Sequence, residues 1–532
     1  MWIEKNPKDI DITLAANPKK VRESMCFDET TMSRFRTEKF GTMTILPKWD
    51  NKYEYELTPF RSEWNYSDVR HPDDIHWTHD LLLDSMRRDF RINCVYMCHL
   101  PIPKQEKKQE KKITTDELST ILKREKHIYL SCSNTYIVQD HRIIKEILYQ
   151  WENTSETIEK YITLSQHWVY EDIQKNKEVL TLILDPQLWI HDMIDRRIET
   201  VWNPKKRFEE DALRILRWIR FPNILNQFLP DKELQNAWFD FDKETRNALC
   251  EHANLVSHIA KERIHEELVK AFSRNNPFGY ICLLDEIWLL PILFPSVEAC
   301  KANKQPIRYH PFDTYTHTLL TLHALQKINT HYLAKLAMLY HDVGKPNQYA
   351  YIKEQKEMNP NNIDMSWYIH HADSGAETAK KEYAALWFSK KECEEIFRYI
   401  KRHHRPWEIL TSNQKNRTKK IRQLLSEWWI SKTCNLIDIA IADRLWQFNP
   451  LQGAAIQELQ DMKQKAITLH DQEWRFTLQQ LAINWNDIVS LYNIQPGPKI
   501  WDILRNCFDW VLGDVPSRNT KSKIIGHLKT FM

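Results

Sequence analysis

The chain has 532 residues, enough for three or four domains of ordinary size that each bury a core, which argues against one compact domain. Charged residues make up 28% of it, yet the formal net charge is only +3, which excludes a general positive field and leaves any nucleic-acid surface to a local patch. Ten cysteines with no CxxC pair exclude a zinc framework or a disulfide scaffold.

The first residues, Met1 to Asp11, are charged and lack the apolar core of a signal peptide. The longest apolar stretch, Tyr280 to Pro295, is interrupted by Asp285, Glu286 and Pro291 and falls short of the roughly 20 residues of a bilayer span. A cytoplasmic protein without a membrane segment is expected.

Up to about residue 100 the pattern is strand-rich, with Asp9 to Leu14, Thr42 to Leu46 and Tyr53 to Phe60 alternating or β-branched. In the first of these, Asp9 and Asp11 are two apart, so a strand points both carboxylates to one face, where such a pair can hold Mg²⁺. Taken alone, a DxD in a Lys-rich segment fits a solvated turn as well. Glu54 and Glu56 share a second strand face. The run from Lys104 to Lys112, KQEKKQEKK, reads as a solvated loop or helix end and opens an insertion-like stretch. After Arg207 the pattern is helical, with Glu209 to Ile219, Lys243 to Phe272 and Glu377 to Trp387 as examples.

Four ordered motifs carry a resemblance. PKDIDIT, from Pro7, resembles the catalytic strand of class II tRNA nucleotidyltransferases (CCA-adding enzymes) and their poly(A) polymerase relatives. YELTPFRSEWNYSDVRHP resembles the EvTtfRxEgxYsDgRhP segment of that family, the run Arg87 to Cys94 its RRDFTINA, and the run Arg207 to Arg214 its RFxEDxLR. The resemblance implies a two-metal transfer of CMP and AMP from CTP and ATP to a tRNA 3′ end. Asp9 and Asp11 then hold Mg²⁺, with Glu56, by its place in the motif, as the third carboxylate. Arg88, Asp89 and Asn93 would bind the nucleotide, since a guanidinium suits phosphate and a carboxylate accepts from ribose hydroxyls. Asp211 and Arg214, three apart on one helix face, would read the base edge, although that spacing also fits a plain helix ion pair. CC-only and A-only adding enzymes and poly(A) polymerases share all these motifs.

Two departures stand out. The family's GGxVRD loop has no counterpart ahead of Pro7, so the head is expected to be N-terminally incomplete and crippled, unless the start lies further upstream. Roughly 90 residues separate Asn93 from Asp185, a longer gap than the resemblance implies.

Further on, His317, His341, Asp342 and Asp443 follow the H…HD…D order of HD phosphohydrolases, with Gly344 and Lys345 after the HD pair and His371 and His403 between. Imidazoles and carboxylates together suit a transition metal, and an HD domain implies phosphoester hydrolysis as a second activity. A hydrolase whose head only binds RNA, and an RNA-binding protein with both metal sites empty, are the rival readings. The tail, LAINWNDIVSLYNIQPGPKIWDIL, resembles the segment by which the same enzymes grip the tRNA acceptor arm. No protein partner is implied.

The expected fold is α+β: a polymerase-β-like head, then an all-α neck, HD domain and tail. Its divisions are 1–102 (first part of the head), 103–184 (insertion), 185–275 (end of the head and neck), 276–308 (connector), 309–450 (HD domain) and 451–532 (RNA-binding tail).

One composition figure is abnormal, 21 Trp against 8 Gly. Trp49, Trp64, Trp189, Trp202, Trp288, Trp446, Trp485 and Trp501 stand where the family pattern has glycine, and Trp49 falls in a turn between two strand-like runs where an indole is costly. UGA codons read as glycine in the source, and translated here as tryptophan, are expected at these eight positions.

Overall fold

The computed structural model describes residues 9–14, 31–37, 42–47, 54–64, 74–78, 80–101, 129–130, 135–138, 179–189, 192, 195–226, 240–274, 276–303, 312–346, 370–447, 452–473, 476–495 and 497–531. The chain divides into two units, Met1–His258 and Ile259–Met532.

In the first unit, β1 (Asp9–Leu14), β2 (Thr31–Thr37), β3 (Thr42–Pro47) and β4 (Glu54–Pro59) form one sheet in the order β1-β4-β3-β2. Their alternating and β-branched residues suit a pleated, half-buried surface, and Met43, Thr44 and Leu57 are buried on it. β1 runs parallel to β4, while the other neighbours are antiparallel. A hairpin of β5 (Arg61–Trp64) and β6 (Asp74–Trp77) precedes α1 (Leu81–Met86), which Asp80 caps by accepting from Leu82 N at 2.8 Å.

A second sheet has the order β7-β10-β9-β8, from β7 (Tyr96–Pro101), β8 (Tyr129–Leu130), β9 (Thr135–Val138) and β10 (Val179–Leu184). Three of these strands fall in the stretch read as an insertion, yet β10 pairs antiparallel with β7 of the head and parallel with β9. The described strands of that stretch therefore complete a head sheet. The charged run 104–112 lies outside the described residues.

Two-residue strands β11 (Arg197–Ile198) and β12 (Asp240–Phe241) lead into helices α2 (Pro204–Glu210), α3 (Leu213–Asn226) and α4 (Lys243–His252). Asn203 caps α2, with Pro204 at its first position, where the missing N–H has no partner to lose. The helix expected across 209–219 breaks at Asp211, whose φ of −151° and ψ of 105° are extended. Its carboxylate accepts from Leu213 N at 3.0 Å and so starts α3, a local bond that competes with helix continuation. Trp218 of α3 is fully buried, with Phe90 at 5.2 Å and Phe241 at 4.8 Å between ring centroids. A single helix over 243–272 is also corrected: α4 is followed by a 3-10 stretch, Ala253–His258, and Ala260 is extended (ψ 131°). Periodicity does not register such a break because no glycine or proline marks it.

The second unit is helical: α5 (Lys261–Ser273), α6 (Pro277–Glu286), α7 (Thr314–Ile328), α8 (Tyr332–Tyr340), α9 (His371–Ala385), α10 (Lys390–Lys401), α11 (Arg405–Thr411), α12 (Gln414–Glu427), α13 (Ile430–Arg444) and α14 (Gln452–Glu473). The residues of α8 from Leu333 to Tyr340 are all buried, as befits a helix apolar on nearly every side. Its one charge, Lys335, donates to Phe272 O at 3.2 Å and Arg274 O at 2.8 Å at the end of α5, and burial lowers its pKa to about 8. α15 (Trp485–Tyr492), α16 (Pro498–Val511) and α17 (Lys521–Phe531) close on a core that includes Ile488, Ile500, Leu504 and Ile524. Among the described residues no helix is long and apolar enough to cross a membrane.

Candidate functional site

Two clusters of chemistry-bearing side chains emerge, one in each unit. In the first, the parallel register of β1 and β4 sets Asp9 beside Glu54 and Asp11 beside Glu56. The predicted trio Asp9, Asp11 and Glu56 thus sits on one strand pair, with Glu56 half-buried. The side chains of Asp9 and Asp11 lie outside the described part of the structure.

The end of α1 and the turn after it hold the next group. Asp84, fully buried, accepts from Arg87 Nε at 2.8 Å, Arg88 Nη2 at 3.2 Å and Tyr96 OH at 3.0 Å. Burial alone would raise its pKa, but the guanidinium groups of Arg87 and Arg88 outweigh it and hold the carboxyl below its ordinary value. Arg88 also donates to Asn93 O at 3.0 Å. The predicted phosphate ligand Arg88 therefore rests on Asp84, a residue the motifs did not single out.

Asp89 accepts from Asn93 Nδ2 at 2.9 Å and from Arg217 Nη1 at 2.9 Å, and Arg217, then Arg214, overcome its burial to lower its pKa. Backbone bonds from Arg91 N to Glu199 O (3.2 Å) and from Val201 N to Asp89 O (3.4 Å) fasten this segment to the approach to α2. Arg217 lies 128 residues from Asp89 and joins two motifs that are remote in sequence. One turn beyond Arg214 on α3, with its side chain 40% exposed, it is the functional candidate that sequence reasoning missed. Its helical spacing from Arg214 was the available signal. Arg214 itself, nearly buried, donates to Arg207 O at 3.0 Å and meets Glu210 Oε2 at 2.5 Å. Asp211 and Arg214 therefore do not share one helix face: Asp211 stands at the break before α3 and Arg214 lies within it.

In the second unit the whole predicted quartet comes together. His317 lies in the first turn of α7, which Asp313 caps by accepting from Thr316 N at 2.9 Å. His341 and Asp342 directly follow α8, and Asp443 lies near the end of α13. His317 Nε2 is 3.0 Å from Asp443 Oδ1 and 3.7 Å from Asp342 Oδ2, and His341 Nε2 is 3.4 Å from Asp342 Oδ2. All four are buried. His341 Nδ1 donates to Met338 O at 2.7 Å, which fixes the tautomer and leaves a buried Nε2 without a hydrogen bond, the posture of a metal ligand. The donor set therefore fits a divalent transition metal.

Glycine is required beside this cluster. A Cβ on Gly344 would run into His371 O, so only glycine lets the turn after α8 approach the start of α9. That approach brings His371 Nε2 to 3.2 Å from Asp342 Oδ1. His403 and His404, between α10 and α11, complete the wall, and Lys345 Nζ lies 2.5 Å from Asp342 Oδ2. Burial raises carboxyl pKa values, yet His341 and Lys345 hold Asp342, and His317 and His341 hold Asp443, well below the usual range. Burial, then His404 and His371, keep His403 well below the imidazole range, and burial, then His371, lowers His404 to about 4. The carboxylates are thus ionised and His403 and His404 neutral at pH 7, while burial of His341 is outweighed by Asp342 and Asp443, which raise its pKa. His404 and Lys345 were not chosen from the sequence as ligands, although HHR and HDVGK mark the places.

Three segments of the chain match known families. Residues 1–109 match the family described as "Poly A polymerase head domain", residues 238–301 the "Probable RNA and SrmB- binding site of polymerase A", and residues 314–445 the "HD domain". The "Multifunctional CCA protein" of Psychromonas ingrahamii is 30% identical over 166 residues, 31% of this chain and 38% of that protein. The protein of the same name from Shewanella frigidimarina is 28% identical over 203 residues, 37% of this chain and 46% of its own. The matches thus span less than half the length of these relatives. A crystal structure of the Bacillus stearothermophilus CCA-adding enzyme in complex with CTP aligns over 98% of this chain and 89% of its own, with a TM-score of 0.51 at 16% identity, a likeness of fold.

Proposed function

The chain belongs to the class II CCA-adding and poly(A) polymerase family, with head, RNA-binding and HD domains, and from that premise we propose that it adds CMP and AMP from CTP and ATP to the 3′ end of tRNA in the cytoplasm. The observation that carries the reading is the β1–β4 register, which sets Asp9 and Asp11 beside Glu54 and Glu56. The register gathers acidic residues on neighbouring strands, the residue type that a Mg²⁺ site needs. Asp9 and Asp11, with Glu56, would hold Mg²⁺, which when bound would activate the 3′-hydroxyl and neutralise the departing pyrophosphate.

The remaining roles fall to the chain's own side chains. Arg88 and Arg217 exchange their carboxylate partners, Asp84 and Asp89, for phosphate oxygens of the nucleotide, which need the same planar donors. Asp89, steadied by Asn93, meets the ribose. Asp211 and Arg214 offer an acceptor and a donor to the base edge, and Arg214 gives up Glu210 to do so. His317, His341, Asp342 and Asp443 would hold a transition metal, which would supply phosphoester hydrolysis as a second activity separate from the head. The divisions given for the sequence, including 309–450 for the HD domain, are proposed with this reading, except that the described strands of 103–184 belong to a sheet with β7 of the head.

The test is to incubate the purified protein with tRNA transcripts lacking CCA and labelled CTP and ATP, and to sequence the product ends. Three added residues, C, C and A, are expected. An A tail made from ATP alone would replace CCA addition with poly(A) synthesis, and no extension at all would overturn transfer by this head.

A further inference from the structure

Of the six non-glycine residues with positive φ among the described residues, three are tryptophans: Trp202 (74°), Trp288 (63°) and Trp387 (70°). Tryptophan is only 21 of the 532 residues, so its share of these positions is not that of its abundance. In the left-handed region an L residue sets its Cβ against the following carbonyl, and for a bulky side chain the strain is marked. Such a backbone persists where the surroundings over-determine it. The three indoles are 60%, 73% and 59% exposed, so packing of the side chain does not hold them there.

At two of the positions the backbone hydrogen bonds identify the turn. Beyond α6, Leu289 N donates to Leu284 O at 2.8 Å and Trp288 N to Asp285 O at 3.1 Å. Beyond α9, Phe388 N donates to Tyr383 O at 3.1 Å and Trp387 N to Ala384 O at 3.1 Å. In each pair one bond spans five residues and the other three, which closes a Schellman turn, and its left-handed position is the one glycine ordinarily fills. The apolar contact of that turn is present as well. Leu284 and Leu289 are both fully buried, and the rings of Tyr383 and Phe388 lie 5.1 Å apart between centroids. Both helices therefore end as glycine-terminated helices do, with an indole in the place of a hydrogen atom.

Trp202 stands at a different turn. On one side Val201 N donates to Asp89 O at 3.4 Å, and on the other Asn203 caps α2, so this single residue redirects the chain from the head into the helix. Its carbonyl accepts from Thr200 Oγ1 at 2.7 Å, which ties the turn down. The remaining residues with positive φ are Leu188, Arg196 and Asn493. Asn493 caps α15, where a short polar side chain tolerates the conformation. Leu188 and Arg196 show that positive φ alone does not single out glycine, and for that reason the turn bonds and the exposed indoles carry the argument.

We infer that positions 202, 288 and 387 are glycine in the protein as its own cell makes it. Trp202 and Trp288 belong to the eight positions singled out in the sequence, whereas Trp387 comes from the backbone alone. The backbone does not call for glycine at five others of the eight: Trp64 is extended in β5, opposite Asp74, and Trp189, Trp446, Trp485 and Trp501 likewise lack positive φ. Trp49 lies outside the described residues. Buried Trp218, with Phe90 and Phe241 against it, is a tryptophan by its own packing.

The experiment reads the residues directly and does not depend on the activity proposed above. Peptide mass spectrometry of the protein isolated from its source should find glycine at 202, 288 and 387 and tryptophan at 218. Tryptophan at 202, 288 and 387 overturns the inference, and glycine at 218 would remove the backbone as its basis. In the recombinant chain that carries tryptophan, Trp288→Gly and Trp387→Gly should each raise Tm by roughly 2 to 4 °C as the left-handed strain is released. Trp501→Gly, inside α16, should lower it instead. A rise in neither of the first two variants overturns the backbone argument.

Discussion

The charged groups of the head are already engaged with one another, whereas two imidazoles of the HD cluster, His341 and His403, keep a nitrogen in reserve. Asp84 takes Arg87 and Arg88, Asp89 takes Asn93 and Arg217, and Arg214 takes Glu210. In the HD cluster the Nε2 atoms of His341 and His403 are buried without hydrogen bonds while their Nδ1 atoms are tied to backbone. The contrast follows from what each would bind. A mobile nucleotide can be met by arginines that trade one oxygen partner for another, so paired charges are compatible with function. A resident ion needs lone pairs aimed in advance, and a ligand satisfied by its neighbours would compete with the metal.

The largest expected effect tests the acidic strand pair. Asp9→Ala or Asp11→Ala should lower nucleotide addition by about 10³-fold or more, since a metal-assisted step contributes several kcal/mol. Transition-metal content should not change. Residual addition above about a tenth of the parent rate would move the Mg²⁺ site elsewhere.

The reciprocal change separates the two regions. His341→Ala with Asp342→Ala should remove bound transition metal and phosphohydrolase activity, while nucleotide addition stays within about twofold. Metal content and both assays on one preparation decide it, and a collapse of nucleotide addition in a folded variant would end the two-site division.

A smaller effect is expected from the structural half of the contrast. Asp84→Ala leaves Arg87 and Arg88 beside a buried gap and should destabilise the head by about 3 kcal/mol, as breaking one side of a buried ion pair does. Because the fold lowers the carboxyl pKa, its contribution is complete above the unfolded value of about 3.9 and is lost as pH falls below it. Denaturant unfolding of parent and variant should therefore converge on acidification, and a constant gap down to pH 2 would assign the effect to packing.

The smallest effect sharpens the role of the helix break. Asp211→Ala and Arg214→Ala should alter the choice of CTP and ATP over GTP and UTP by about 1 to 3 kcal/mol, the scale of a lost polar contact, and tRNA binding should change less. Equal losses for all four nucleotides would make the pair structural.

Much of this organisation was readable along the chain. β1 occupies the expected run Asp9 to Leu14, since alternation and β-branching act within a few residues. The H…HD…D quartet needed only residue identity and order to be chosen, because metal ligands are scarce residue types. Tertiary structure decided the rest. The break at Asp211 is a side-chain bond to Leu213 N that periodicity does not encode. The Asp89–Arg217 pair, the pairing of β10 with β7, and the meeting of His371, His403 and His404 at the far oxygen of Asp342 join residues that local pattern leaves independent. Sequence by itself fixes which groups a chain has and the period on which they recur. Which of them end within 3 to 4 Å of one another depends on long-range packing of strands and helices, and that is where both candidate sites are made.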